Sequence, residues 1–309
     1  TAEDEARAKR TARIVAILAV LSVAGAGIVL WRVYGKEAPR EEERFFENRA
    51  PEAAIEGAVD IPRVLFREEA AARGLVFSHA NGATGDKLLP ETMGAGVAFI
   101  DFDGDGDPDL YCVNSASWDA EAKDAGATGR LFRNDDGRFV DVTAGSGLDE
   151  SFYGMGASVG DFDGAGRDDL FVTAVGRNRL FRNLGEGRFK ETFAQVAGIA
   201  AEDERWSTGS AFLDADRDGD LDLVVANYVV WSATIDQEQG FQLTGLGRAY
   251  GPPKSFRGEL VQFFRNEGGR FVDATEAAGF RVLNRATGVP VAKSLGVCVC
   301  DWNLDGWPD

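Results

Sequence analysis

The sequence predicts an all-β chain, a β-propeller of four-stranded blades, preceded by a single N-terminal transmembrane helix. Three observations carry that prediction. An aspartate-rich loop recurs four times in register. Thirty-eight glycines stand against nine prolines, a density that supplies the tight turns of short-stranded repeat folds. One long apolar run without charges lies near the start.

The chain divides into a short tail (1–13), an anchor helix (14–33), a charged linker (34–61) and the propeller (62–309). The anchor is read from IVAILAVLSVAGAGIVLW at 14–31, long enough as a helix to cross a hydrocarbon core. A cleaved signal peptide is the rival, because Ala24-Gly25-Ala26 resembles a cleavage site. The apolar run continues through Ile28-Val29-Leu30-Trp31, which favours the uncleaved anchor. Arg7, Lys9, Arg10 and Arg13 precede it, while Arg32, Lys36, Arg40 and Arg44 follow, so the positive-inside count is nearly tied. The stretch from Lys36 to Ala58 is charged and alanine-rich, as in a partly helical linker.

Self-similarity decides the fold of the remainder. Gly96, Gly156, Gly209 and Gly296 each stand five residues before an aspartate: Asp101, Asp161, Asp214 and Asp301. The apolar runs between are VAFI, ASVG, SAFL and VCVC. Each aspartate opens a loop of nine: DFDGDGDPD, DFDGAGRDD, DADRDGDLD or DWNLDGWPD. β-type runs follow the first three. LFRN at 131–134, LFRN at 180–183 and FFRN at 263–266 then each precede a Gly-Arg-Phe triplet. A unit is thus strand, acidic loop, strand, turn and strand, suited to one propeller blade. Residues 64–75 look like the tail of one further unit. Two insertions, roughly Ser115–Thr128 and Ser232–Arg257, are expected to project from one face.

Within each loop the acidic residues fall at positions 1, 3, 5 and 9, with glycine at 6. Oxygen donors at alternating positions wrap a calcium ion, the position-6 glycine allows the sharp turn, and the position-7 carbonyl can join the set. Helical EF-hands are excluded, because position 12 is Cys112, Val172 or Val225 instead of a bidentate glutamate. The candidate ligands are Asp101, Asp103, Asp105, Asp107 and Asp109 in the first loop. In the second they are Asp161, Asp163 and Asp169, and in the third Asp214, Asp216, Asp218, Asp220 and Asp222. The fourth offers Asp301, Asn303, Asp305 and Asp309. Asp107 and Asp220, at position 7, are expected to contribute backbone carbonyls. Ala165 and Arg167 remove one ligand from the second loop and add a positive charge, so weak or no binding is expected there. One Ca²⁺ is expected per intact loop.

Composition narrows the partners. The net charge of −18 argues against nucleic acid, which needs a Lys and Arg surplus on one face. The loops hold 17 aspartates, close to the whole excess, which a divalent ion offsets. Calcium is abundant outside the cytoplasm, so the propeller is expected on the periplasmic or extracellular side of the inner membrane. Cys112, Cys298 and Cys300 form no CxxC motif and read as small buried residues. No nucleophile–base pair stands out and no small-molecule substrate is evident.

The GxxxxDxDxDGxxDL units resemble FG-GAP/VCBS repeats of integrin-α-like propellers. LPETMGAGVAFIDFDGDGDPDLY, RLFRN…GRFVDVTAGSGL and NYVVW…GPP are more narrowly similar to the CRTAC1 group, whose members often end in an ASPIC/UnbV domain. The resemblance covers about residues 62–309 and implies a seven-bladed propeller, calcium in blade hairpins, and an adhesive or scaffolding role. The sequence stops at the last ligand position of its fourth loop, so either a longer chain or a partner covering the open edge is expected. The favoured function is a membrane-anchored interaction module, such as a subunit held by its helix in a larger membrane complex with other membrane or periplasmic proteins. A free adhesin is the alternative, and a glycan-acting enzyme on a propeller scaffold the lesser one.

Overall fold

The computed structural model describes residues 65–118, 127–198 and 204–308. The anchor and linker predicted over 14–61 lie outside them. Among the described residues no helix is long and apolar enough to cross a membrane.

Three successive four-stranded antiparallel meanders account for most of the strands, an all-β, propeller-like arrangement. The first comprises β1 (Val97–Ile100), β2 (Asp109–Cys112), β3 (Arg130–Asp135) and β4 (Arg138–Asp141). The second comprises β5 (Gly154–Gly160), β6 (Asp169–Gly176), β7 (Arg179–Gly185) and β8 (Arg188–Glu191). A short helix, α1 (Phe193–Ala197), leads on to β9 (Arg205–Leu213) and β10 (Asp222–Asn227). An insertion then carries α2 (Ala233–Gln239) and a small hairpin, β11 (Gln242–Leu243) with β12 (Gly247–Arg248). β13 (Gln262–Asn266) and β14 (Phe271–Asp273) complete the third meander. Val175 and Gly176 of β6 pair with Trp206 and Arg205 of β9, which joins the second blade to the third.

Alternation along the strands builds the core between blades. In the second blade Leu170, Val172 and Phe181 face the first, packing with Ala98, Ile100, Tyr111 and Leu131. Their neighbours Phe171 and Leu180 face the third, packing with Leu223, Val225, Phe264 and Phe271. A second strand such as DLFVTAVG is therefore buried on both faces, which explains its uninterrupted apolar run. Each large side chain so buried contributes about 1.5–3 kcal/mol.

The register glycines have a steric cause. A Cβ on Gly96 would lie 3.0 Å from the Gly156 Cα, and one on Gly209 would lie 3.2 Å from the Gly296 Cα. A Cβ on Gly156 would approach the Thr208 carbonyl oxygen to 2.8 Å. Neighbouring first strands converge at these points, and only a residue without a side chain lets the backbones meet.

The structure departs from expectation in the fourth unit. VCVC at 297–300 is not a strand: among the described residues it has no partner strand, and its neighbourhood is held by single contacts. Thr208 Oγ1 donates to the Ser294 carbonyl at 2.8 Å, and the Ser294 N–H to the Asn227 carbonyl at 3.1 Å. Cys298 and Cys300 are consequently exposed, against the expectation of burial, whereas Cys112 is buried between the first blade and Leu75 and Phe77. Leu75 ends the segment expected to be the tail of a further unit, and Phe77 lies two residues beyond it. That segment runs beside β4, with the Arg73 carbonyl accepting from the Phe139 N–H at 2.8 Å.

The third-blade insertion is tied down rather than a loose excursion. Asp236, fully buried, accepts from the Leu89 N–H (2.7 Å), Trp231 Nε1 (2.8 Å) and Arg248 Nη2 (3.0 Å). Trp118, Tyr153, Trp206 and Trp231 form an aromatic cluster beside it. The insertion lies at the strand ends opposite the aspartate loops.

Candidate metal centre

Each of the first three aspartate loops joins the first strand of a blade to its second, so these three sit at one end of the blades. The loop backbone is built by its own carboxylates. In the first loop Asp101 accepts from the Gly104 and Gly106 N–H groups at 2.9 and 3.1 Å. Asp161 accepts from Ala165 and Gly166 at 2.9 and 2.7 Å, and Asp214 from Gly219 at 3.2 Å. Asp301 accepts from Asp305 and Gly306 at 3.1 and 2.7 Å. Gly106, Gly166, Gly219 and Gly306 all have φ between 73° and 97°, where a side chain is strained. The fourth loop takes this form with no strand before it, so the frame is a local property of the nine residues.

Position 9 is a different kind of residue. Asp109, Asp169 and Asp222 are at most 1% exposed. One oxygen of each accepts from the position-2 N–H, of Phe102 (3.1 Å), Phe162 (3.2 Å) or Ala215 (3.1 Å). The other accepts from the backbone N–H of the asparagine that ends LFRN or FFRN: Asn134 (2.8 Å), Asn183 (2.7 Å) or Asn266 (2.8 Å). Burial pushes the Asp109 carboxyl up to about 6 and that of Asp169 up to about 7, with nearby aspartates adding to the rise. Asp222 is raised by the same causes.

The structure brings carboxylate oxygens of Asp101, Asp103 and Asp109 within 4.8 Å of one another. It does the same for Asp161, Asp163 and Asp169, and for Asp214, Asp216 and Asp218. Asp105 and Asp218 accept from the N–H two residues on, at 2.8 and 2.9 Å, as Asp305 does from Trp307 at 2.8 Å. The position-7 carboxylates turn toward the hairpin between third and fourth strands: Asp107 accepts from Asp136 N–H (3.4 Å) and Asp220 from Gly268 N–H (2.9 Å). Asn303 accepts from Asp305 N–H at 2.9 Å, and Asp309 lies outside the described residues.

These all-oxygen clusters suit a hard cation. One observation points that way independently of charge density: Asp214 Oδ1 is buried with no hydrogen-bond donor, and a carboxylate oxygen is costly to leave so. The second loop already has positive charge beside it. Arg182 is ion-paired with Asp163, and Arg167 Nε donates to the Asn183 carbonyl at 3.1 Å.

The asparagines were visible only as a recurring letter in LFRN; their role needed the fold. Asn183 and Asn266 each cap their own turn, accepting from Gly185 and Gly269 at 2.8 Å. Their Nδ2 groups donate to the Asp168 and Leu221 carbonyls at 3.1 and 3.0 Å.

Comparison with known proteins agrees with this geometry. A model of the FG-GAP-like repeat matches residues 101–172 and again 161–225, each match opening on the first aspartate of a loop. The chain carries FG-GAP-like repeats. It is 28% identical over 232 residues to cartilage acidic protein 1 of Mus musculus, covering 65% of this chain and 33% of that protein. To cartilage acidic protein 1 of Homo sapiens it is 31% identical over 148 residues, 44% of this chain and 21% of the relative. The chain therefore spans a third or less of the length of these two relatives.

Proposed function

We propose that the chain is a calcium-binding, propeller-type interaction module, carried outside the cytoplasm on one membrane helix and acting as a scaffold, not as an enzyme. The observation that carries the calcium reading is the convergence of three carboxylates within 4.8 Å in each of three loops, with Asp214 Oδ1 buried and unmatched. Asp101, Asp103 and Asp109 would hold one ion, and Asp214, Asp216 and Asp218 another. The fourth loop, with its equivalent backbone frame, would hold a third. The second loop, already paired to Arg182, would hold one weakly or not at all. A bound ion supplies the positive charge that lets these carboxylates stay ionised side by side.

The scaffold reading is supported by the tied-down insertion, whose hairpin exposes Leu243 and Leu246 on rigid backbone. The anchor rests on the uncharged run at 14–31. A seven-bladed ring, implied by the family resemblance, is part of the same proposal.

Thermal unfolding with and without a calcium chelator tests the central claim. Chelation should lower the melting temperature strongly, by the loss of about 2.7 kcal/mol for each site held at a hundred times its dissociation constant. An unchanged melting curve would sink it. Gentle detergent extraction followed by mass spectrometry tests the scaffold. Co-purifying membrane proteins are expected; a lone monomer that turns over a polysaccharide would overturn the reading.

A further inference from the structure

The three loops are not separate: hydrogen bonds run through them from blade to blade without a break. Asn183, in the second blade, sends Nδ2 to the Phe102 carbonyl in the loop of the first, at 2.9 Å. Asn266, in the third blade, sends Nδ2 to the Phe162 carbonyl in the loop of the second, at 2.7 Å. Phe102 and Phe162 are the position-2 residues whose N–H groups donate to Asp109 and Asp169. The backbone N–H groups of Asn183 and Asn266 donate in turn to Asp169 and Asp222. Asp109 is thus tied to Phe102 at its N–H, Phe102 at its carbonyl to Asn183, and Asn183 at its backbone N–H to Asp169. Asp169 is tied in the same way through Phe162 and Asn266 to Asp222, which accepts from the Ala215 N–H. Asn183, Asn266 and all three carboxylates are buried, so water does not compete for these bonds. A second link runs parallel, from the Asp101 N–H to Asp168 Oδ2 at 3.3 Å.

We propose that calcium loading is cooperative from blade to blade, with Asn183 and Asn266 as the positioning residues that carry the coupling. The inference rests on the calcium reading above. An ion that orders one loop fixes its position-2 carbonyl. That carbonyl holds the asparagine of the next blade, and the asparagine holds the buried carboxylate of the next loop in place. The next site then has less ordering left to do, which is positive coupling without any large structural change. The weak second loop would serve as a link between the first and third even with no ion of its own.

The test is a site-resolved calcium titration of the full chain, following the Gly106 amide resonance for the first loop. Disabling the third loop with Asp216→Ala and Asp218→Ala should raise the calcium needed at the first loop about fivefold or more. In a background carrying Asn183→Ala and Asn266→Ala, the same two substitutions should leave the Gly106 midpoint within about twofold, because the link is gone. A midpoint that ignores the third loop in the intact chain overturns the coupling. So does an equal shift with and without the asparagines, which assigns the effect to long-range charge. Where the alanine variants fail to fold, Asn183→Ser and Asn266→Ser keep the backbone donor and a neutral hydroxyl while removing the Nδ2 group that reaches the previous blade's carbonyl. Failure of the unaltered chain to bind calcium at all would overturn the calcium reading and the coupling together, and is distinguishable from either result.

Discussion

The second and third aspartate loops share one backbone and differ in how they handle charge. Both have a position-1 aspartate holding the position-6 glycine, and a buried position-9 aspartate holding position 2 and the strand asparagine. The third loop adds Asp218 and Asp220, and one of its buried oxygens, Asp214 Oδ1, has no donor. The second has Ala165 and Arg167 instead and is paired to Arg182. Alanine at position 5 leaves the frame intact, since the Ala165 N–H still donates to Asp161 and Asp163 at 2.9 and 3.1 Å. Positions 1 and 9 therefore shape the loop, while positions 5 and 7 set the difference in charge between the two.

That division is broken or upheld by comparing Asp222→Ala with Asp218→Ala in chelator. Removing Asp222 strands the buried Asn266 N–H and the half-buried Ala215 N–H and should cost about 2–6 kcal/mol at about 1–3 kcal/mol for each unsatisfied group. Removing Asp218 frees only the exposed Asp220 N–H and should cost under about 0.5 kcal/mol. Urea unfolding reads both. Equal losses would mean that position 9 has no special structural part.

The loops were legible in the sequence because their frame is local. Asp301, Asp305 and Gly306 take the same hydrogen bonds as Asp161, Ala165 and Gly166, although no strand precedes the fourth loop. The blade strands were legible because alternation and turn glycines mark them. What depends on distant backbone was not. Gly156 reads as a register mark with no stated cause until Thr208 is brought against it. The asparagine of LFRN reads as a turn residue until the previous blade's carbonyl meets it. Cys298 and Cys300 share the β pattern of their counterparts, yet pattern alone makes no strand without a partner to pair with. The buried Asp236 was hidden in an insertion with no repeat to compare against; its three-part contact with Leu89, Trp231 and Arg248 belongs to tertiary structure alone.

The loop comparison is sharpened by converting one loop toward the other. Ala165→Asp and Arg167→Asp, with Arg182→Gln to release Asp163, give the second loop aspartates at positions 1, 3, 5, 7 and 9 as in the first and third, with Asp168 in addition. Calorimetric titration should then show one additional calcium equivalent, and the loaded protein should gain up to about 2.7 kcal/mol at a hundred times the dissociation constant. Ala165→Asp alone, with both arginines kept, should bind far more weakly. A stoichiometry unmoved by the triple substitution would show that something other than charge and position 5 separates the two loops.

The smallest effect expected is one of pH, and its sign separates the ion-free from the loaded protein. Asp169 is held up to about 7 and Asp109 up to about 6 in the fold, chiefly by burial, whereas both would ionise near the ordinary aspartate range when unfolded. The folded state therefore binds more protons between about pH 4 and 7, and stability must fall as pH rises through that window. In chelator, lowering the pH from about 7.5 to 5.5 should raise the melting temperature by a few degrees, with Asp169→Asn flattening most of the rise. With calcium bound, protons and metal compete for the same carboxylates, so acidification over that range should lower the melting temperature instead. If the two curves ran in the same direction, the buried position-9 carboxylates would have to be assigned to the hydrogen-bonded frame alone, and the cation to the exposed positions.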